Sequence, residues 1–200
     1  MGRSKRKPKF TNCGFVAHGK SEWYIAKYIF TNLHIRHQLF AKSNGKSSIQ
    51  INGLMAYLNK ICRNLKSFAE EHCVEYDSKT KRLVNFKLFI MMDTDDCSEL
   101  AAKDFQSKKM FAGHPLYDYI VPLFCIRNLE EVMVKAGIMT KKIPDNQKDR
   151  FYSKVFPMND GKRGEGTAEE IRRFGEQVRP IKETNLEELI DYCLKQIEQD

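Results

Sequence analysis

"GFVAHGKSEWYIAKYIF", residues 14–30, admits two readings that lead to different proteins. Taken from Gly14 through Gly19-Lys20-Ser21, it satisfies the phosphate-loop pattern G-x-x-x-x-G-K-[ST], in which glycine-rich backbone presents N–H groups to a triphosphate after a hydrophobic strand has ended. Taken the other way, Phe15-Val16-Ala17 is a short buried strand that stops at His18-Gly19. It then turns into a helix capped by Ser21, with Trp23, Ala26, Lys27 and Phe30 at helical spacings. The chain before Gly14 is KPKFTN, which is no strand, and the best strand formers lie where the loop should be. Strand-turn-helix is therefore the preferred reading. A phosphate loop over Gly14–Ser21, with Lys20 and Ser21 on a nucleotide and Asp93 as its magnesium-linked aspartate, is the alternative.

Working outward, HQLFAKSN reads as a second short strand. SSIQINGLMAYLNKICRNLKSFAEEHC carries Ile51, Leu54, Met55, Leu58, Ile61, Cys62, Leu65 and Phe68 at the spacings of one long amphipathic helix. EYDSKTKRLVN is polar and turn-like. FKLFIMMD is a nearly continuous hydrophobic run ending at Asp93, the pattern of a central strand buried on both faces. A helix from about Ser98 to Phe111, a strand in DYIVPLFCI and a short helix in NLEEVMVKAG, begun by Asn128 and stopped by Gly137, follow. Strands alternating with helices predict an α/β fold with a mostly parallel, doubly wound sheet. We divide the chain into a basic arm (1–9), an α/β domain (10–138) and a helical appendage packed on the same core (139–200). The appendage holds a helix between Pro144 and Pro157, a polar loop NDGKRGEG, and helices over about Thr167–Gln177 and Asn185–Gln199.

Two hundred residues with 42% apolar content suffice for one domain with a normal core. The six cysteines form no C-x-x-C and sit mostly in apolar runs, which reads as reduced packing residues. His34 and His37 lie near no paired cysteines, so no structural zinc is expected. No apolar stretch reaches membrane-span length, MGRSKRKPKF lacks the apolar core of a signal peptide, and Arg6 breaks the myristoylation pattern, so a cytoplasmic protein without a membrane partner is expected. The net charge of +8 is concentrated partly in the arm, where Arg3, Lys5, Arg6, Lys7 and Lys9 could track a phosphate backbone or merely keep the chain in solution. NGKSS at 44–48 cannot be a phosphate loop, because Phe40 stands where its first glycine should, but Lys46 and its backbone could touch a phosphate.

The chemistry lies in MMDTDDC. Asp93, Asp95 and Asp96 just past a central strand would repel one another unless a cation neutralises them, and carboxylate oxygens suit Mg²⁺ or Mn²⁺. The plainer reading is an acidic turn capping the helix near Ser98. In open α/β sheets the carboxyl ends of neighbouring parallel strands share one crevice, so Glu22, in the first turn after His18-Gly19, belongs to the same region.

FVAHGKSEWYIAKYI, LFIMMDTDD and IRNLEEVM, in this order and at these separations, resemble the strand-glycine-helix, D-x-D and late-glutamate elements of a Toprim domain. The likeness is to the catalytic domain of overcoming-lysogenization-defect (OLD) family nucleases and to RloB-like phage-defence proteins, and covers about residues 10–138. It implies a Toprim/Rossmann-like fold in which Glu22, Asp93, Asp95 and Glu130 match the acidic positions, with Glu131 competing with Glu130. His18 stands where the family usually has glutamate, and could be a nitrogen ligand, a proton shuttle or the mark of a domain that has lost nuclease chemistry. Phosphodiester cleavage by two metals needs four to five carboxylates, and Glu22, Asp93, Asp95, Asp96 and Glu130 supply five. Lys20, at a helix start, could orient a phosphate or be merely solvated; His114 reads as a turn residue. Trp23, Tyr24, Tyr28 and Phe30 read as core rather than base-stacking residues. The expectation is a Mg²⁺/Mn²⁺-dependent nuclease of prokaryotic phage defence acting on DNA or RNA. A catalytically silent nucleic-acid- or protein-binding module beside a partner ATPase is the third possibility.

Overall fold

The computed structural model describes residues 10–141, 143–144, 147–158 and 167–198. In chain order the elements are β1 (Cys13–Ala17), α1 (Lys20–Asn32), β2 (His37–Phe40), α2 (Ile51–Ile61), α3 (Leu65–His72), β3 (Tyr76–Asp77), β4 (Arg82–Leu83) and β5 (Lys87–Asp93). They continue with α4 (Glu99–Gln106), β6 (Ile120–Cys125), α5 (Leu129–Lys135), α6 (Lys148–Val155), α7 (Ala168–Val178) and α8 (Glu187–Glu198).

Period-two burial explains the sheet. In β1, Cys13, Phe15 and Ala17 enter one core and Val16 the other; in β5, Phe89 and Met91 take the first side and Leu88, Ile90 and Met92 the second. Strands buried on both faces need helices on both faces, and the sheet is accordingly parallel throughout, in the order β2-β1-β5-β6. This is an α/β, doubly wound, Rossmann-like arrangement. Helix α1 covers one face between β1 and β2. The chain then returns over the other face through α2 and α3 to place β5 on the far side of β1. The connection therefore reverses between β1 and β5, and the carboxyl ends of those two strands flank the crevice.

Gly14 lies inside β1, paired with Gln38 and Leu88, so the wrapped loop that a Gly14–Ser21 phosphate site requires is not formed. The glycine is there for packing: a Cβ on it would sit 2.7 Å from Leu88 Cδ1, 3.0 Å from Phe86 Cζ and 3.4 Å from Phe40 Cε2.

Other expectations are corrected in detail. The single long helix is two, broken at Cys62, whose backbone is extended, with Asn64 starting α3 by accepting the Ser67 N–H at 2.9 Å. Both halves bury the same apolar stripe (Leu54, Leu58, Phe68), so periodicity runs through the break unseen. The polar stretch after α3 contains a small antiparallel hairpin of β3 and β4, whose turn is held by Asp77 accepting the Lys79 N–H and the Thr80 hydroxyl. Helix α4 begins after Ser98, which caps it, but ends at Gln106; Lys108 is left-handed and a separate 3₁₀ turn covers Lys109–Phe111. Helix α6 starts at Lys148, later than Pro144 suggests. NDGKRGEG, from Asn159, and the arm bearing Arg3, Lys5, Arg6, Lys7 and Lys9 lie outside the described residues.

Helices α6, α7 and α8, with Phe156 just past α6, bury Tyr152, Phe156, Ile171, Phe174, Val178, Leu189, Ile190 and Cys193 in the cluster that also contains Phe15, Phe89 and Leu123. Residues 183–185 run beside β6: Ile126 N–H donates to the Glu183 carbonyl at 2.7 Å. The Asn185 side chain accepts the Phe124 N–H and donates to the Pro122 carbonyl, both at 3.0 Å. The edge strand is thus closed to further pairing there. All six cysteines are free thiols. Among the described residues no helix is long and apolar enough to cross a membrane.

Gly14→Ala should lower unfolding stability by about 1–3 kcal/mol, because two well-packed side chains must give way. Urea unfolding of the two proteins measures this. An unchanged midpoint would show that the space beneath Leu88 and Phe86 is not as tight as the structure has it.

Candidate functional site

At the end of β1 the backbone is held on both sides: His18 N–H donates to the Met91 carbonyl at 3.0 Å, and the His18 carbonyl accepts the Ile49 N–H at 2.8 Å. Gly19 then begins α1. Glu22, one turn in, reaches back with Oε2 to accept the Gly19 N–H at 2.9 Å, half of a capping box. Asp93 closes β5 and accepts the Leu129 N–H at 3.1 Å, the first amide of α5. Glu130, next in α5, accepts the Ser21 hydroxyl at 3.0 Å and the Lys148 ammonium at 2.8 Å. Three buried carboxylates from separate segments, with Lys20, Lys46 and Lys148, line one cleft of about 470 Å³ at the crossover point.

Each carboxylate sits against a helix N-terminus, where orphan N–H groups and the helix dipole favour negative charge. That does not offset their burial. Asp93 is pushed up to about 9, first by loss of solvent and then by the charges of Glu22, Glu130 and Asp95. Glu22 is also raised, chiefly by burial, with His18 opposing. Glu130 goes the other way: burial is the largest influence and raises it, but the hydrogen bond and charge of Lys148, with Ser21 adding, hold it below the usual carboxylate range.

Of the residues singled out in the sequence, His18, Lys20, Glu22, Lys46, Asp93 and Glu130 all line this cleft. His18 Nδ1 is buried without a hydrogen-bond partner. Glu131 turns to Arg127, 3.6 Å away, which separates it from Glu130. Asp95 and Asp96 are exposed and do not line the cleft, so the structure does not assemble the tight triple-aspartate cluster that MMDTDDC suggests. The cause is the strand's end: only Asp93 still has strand geometry, and the next residues turn away. Lys20 pairs with Asp149 while remaining on the cleft wall. Lys46 is carried by a turn that fits against α1 only through Gly45, whose φ is +81° and where a Cβ would lie 3.1 Å from the Gly19 carbonyl oxygen. His114 is a buried turn residue that accepts the Leu116 N–H at 3.1 Å on Nδ1.

Lys148 is the cleft residue that the sequence did not reveal. It stands 18 positions beyond Glu130 in a segment read only as the approach to a helix, and no local pattern reports a pairing of that kind. Among the described residues no three His, Cys, Asp or Glu side chains converge closely enough to hold a metal ion by themselves. Glu22 and Asp93 are the pair suited to a hard divalent ion, since each is anchored through one oxygen by an amide and, among the described residues, neither has a lysine as its counter-charge in the way that Glu130 does.

Comparison of the chain with protein-family models, with curated proteins and with solved structures returned no match. The Toprim resemblance thus rests on the three sequence motifs alone.

The Asp93 shift has a pH signature. Between its ordinary value of 3.8 and about 9, the folded state keeps a proton that the unfolded state has released, so this group's stabilisation, full below about pH 4, is lost as pH rises through that window. Metal-free Asp93→Asn lacks the group and should lose less stability than wild type between about pH 5 and 8, by on the order of 1 kcal/mol per pH unit. Urea unfolding in EDTA across that range checks it; parallel slopes for the two proteins would mean that Asp93 ionises normally.

Proposed function

We propose that the chain hydrolyses phosphodiester bonds of nucleic acid in the cytoplasm with a bound Mg²⁺ or Mn²⁺. By the Toprim resemblance this would be a nuclease of prokaryotic phage defence, working alone or beside a partner ATPase. The observation that carries the proposal is the convergence of Glu22, Asp93 and Glu130, from three segments of the chain, on one lysine-flanked cleft at the sheet's crossover point. With Asp95 and Asp96 outside the cleft, the residues fit one ion held by Glu22 and Asp93 rather than a pair held by five carboxylates.

A divalent ion there would supply positive charge to the phosphate oxygens and acidify an attacking water. The chain's own residues do the rest. Lys20 and Lys46 attract the phosphodiester backbone to the mouth of the cleft, and Lys148 keeps Glu130 ionised and oriented. His18, with an unpaired ring nitrogen beside Glu22, is the group suited to accept or return a proton. A second reading, a phosphate-binding module without hydrolysis, is favoured by the Lys148–Glu130 pair and by the absence of a closed three-ligand group among the described residues.

Thermal melting separates the two. An ion that binds only the folded state raises Tm, so millimolar Mn²⁺ should stabilise the wild type relative to EDTA, by about 3 kcal/mol at a hundredfold excess over Kd. Asp93→Asn should abolish that response and any cleavage of DNA or RNA on a gel, while melting no lower than wild type in EDTA. Identical wild-type curves with and without metal would remove the hydrolytic reading and leave the binding module.

A further inference from the structure

Lys20 and Tyr24 converge on a single carboxylate, supplied from far along the chain and lying within the field of Lys46. Asp149, the second residue of α6, accepts from the Lys20 ammonium and from the Tyr24 hydroxyl at 3.0 Å. The Lys20 hydrogen bond foremost, then that of Tyr24, with the charge of Lys46 adding, hold its carboxyl below the ordinary range against slight desolvation. Its neighbour Lys148 meanwhile reaches Glu130 on the acidic side of the same cleft. Two consecutive residues thus present an ammonium to Glu130 and a carboxylate to Lys20, each opposite in charge to the group it meets. Helix α6 is seated for this by Tyr152, fully buried one turn on, whose ring stacks on Tyr24 with centroids 6.1 Å apart and planes at 19°.

We propose that Lys20, Tyr24 and Lys46 form a phosphate subsite at the mouth of the cleft, and that Asp149 occupies it as an internal competitor displaced when a substrate phosphate arrives. The donor set is that of an oxyanion site: one ammonium group and a phenolic hydroxyl aimed at one acceptor, with the charge of Lys46 nearby. A carboxylate or an internal diester brings one charge and two free oxygens, whereas a terminal phosphate brings roughly −1.5 to −2 charge and three oxygens, so the terminal phosphate of a strand is the better ligand for the same donors. Displacement is easy because the Asp149 side chain is 55% exposed and partly exposed ion pairs hold weakly. Covering Lys20 in the resting protein also suppresses nonspecific attraction of polyanions. The proposal rests on the cleft taking a phosphate-bearing substrate and adds where the phosphate is held and what guards it.

The test is phosphate binding in EDTA, so that its outcome is independent of any metal response. Inorganic phosphate and a short 5′-phosphorylated single-stranded DNA are titrated calorimetrically into wild type, Asp149→Asn and Lys20→Met at low salt, with melting curves to confirm that each variant is folded. Asp149→Asn should bind tighter and Lys20→Met weaker than wild type, each by roughly threefold or more, the change expected from one exposed ion pair. That ordering with the oligonucleotide assigns the subsite to a nucleic-acid strand; the ordering with inorganic phosphate alone assigns it to small phosphates. Should Asp149→Asn melt early, Asp149→Ser replaces it. Unchanged affinity of the folded Asp149 variant for both probes would overturn the proposal, reducing the contact to a tie between α1 and α6. A chain that binds phosphate in this order but shows no metal stabilisation would keep the subsite and lose the hydrolytic function.

Discussion

Burying Asp93 is the constraint on which the carboxyl edge of the sheet depends. The most apolar strand of the chain ends on a carboxylate that remains only 8% exposed, beside two others of which Glu22 is 2% exposed. A carboxylate withdrawn from water must be hydrogen-bonded, paired or neutral. The architecture answers with what a doubly wound sheet has to offer at that edge, the N-termini of helices: the Gly19 amide capping α1 turns to Glu22 and α5 turns its first amide to Asp93. The answer is incomplete, and Asp93 responds by titrating near 9. The positions that make the fold uneasy are those that a cation would settle.

Two kinds of positive charge can complete such an edge, a lysine or a metal ion, and in this cleft a lysine completes one of the three carboxylates. Lys148 neutralises Glu130 from outside the sheet, and the effect is visible in the opposite shifts of Glu130 and Asp93. Among the described residues Glu22 and Asp93 have no equivalent lysine partner. A fixed ammonium is a point charge with three donors and no vacancy, so it orients Glu130 permanently. An exchangeable ion would do for Glu22 and Asp93 what lysine cannot, namely leave coordination positions open to a substrate oxygen.

How much of this was legible depended on whether the cause was local. The strands around Phe15, in FKLFIMMD and in IVPLFC were readable because a strand buried on both faces writes itself as an unbroken apolar run. The α5 helix was readable because Asn128 caps it, accepting the Glu131 N–H at 3.1 Å, and left-handed Gly137 follows it. The parallel order was implied by alternation of strand and helix, and with it the meeting of Glu22 and Asp93. Spacing alone could not separate Glu130 from Glu131, since the choice is made by Ser21 and Lys148 on one side and Arg127 on the other. Nor could it show that Asp95 and Asp96 turn to solvent. Gly14 is the instructive case: its letters match a phosphate loop, but the glycine answers to Leu88, Phe86 and Phe40 across the sheet, neighbours that a linear pattern does not contain.

The same reasoning changes the status of the C-terminal helices. Read from the sequence they are an appendage beginning at residue 139, and their apolar stripes say only that they pack on something. In the structure α6 carries three contributions to the site within one turn and a half: Lys148 to Glu130, Asp149 to Lys20 and Tyr24, and Tyr152 stacked against Tyr24 beneath them. The apolar contact fixes the helix, and the fixed helix sets where the two charges fall. Because Tyr152 and Phe156 belong to the cluster that also buries Phe15 and Phe89, the registry of α6 over the cleft is tied to the packing of β1 and β5 themselves. A boundary drawn at residue 138 therefore separates sequence patterns but not chemistry: the α/β unit alone would keep its three carboxylates and lose both the lysine that holds one of them and the carboxylate that covers Lys20.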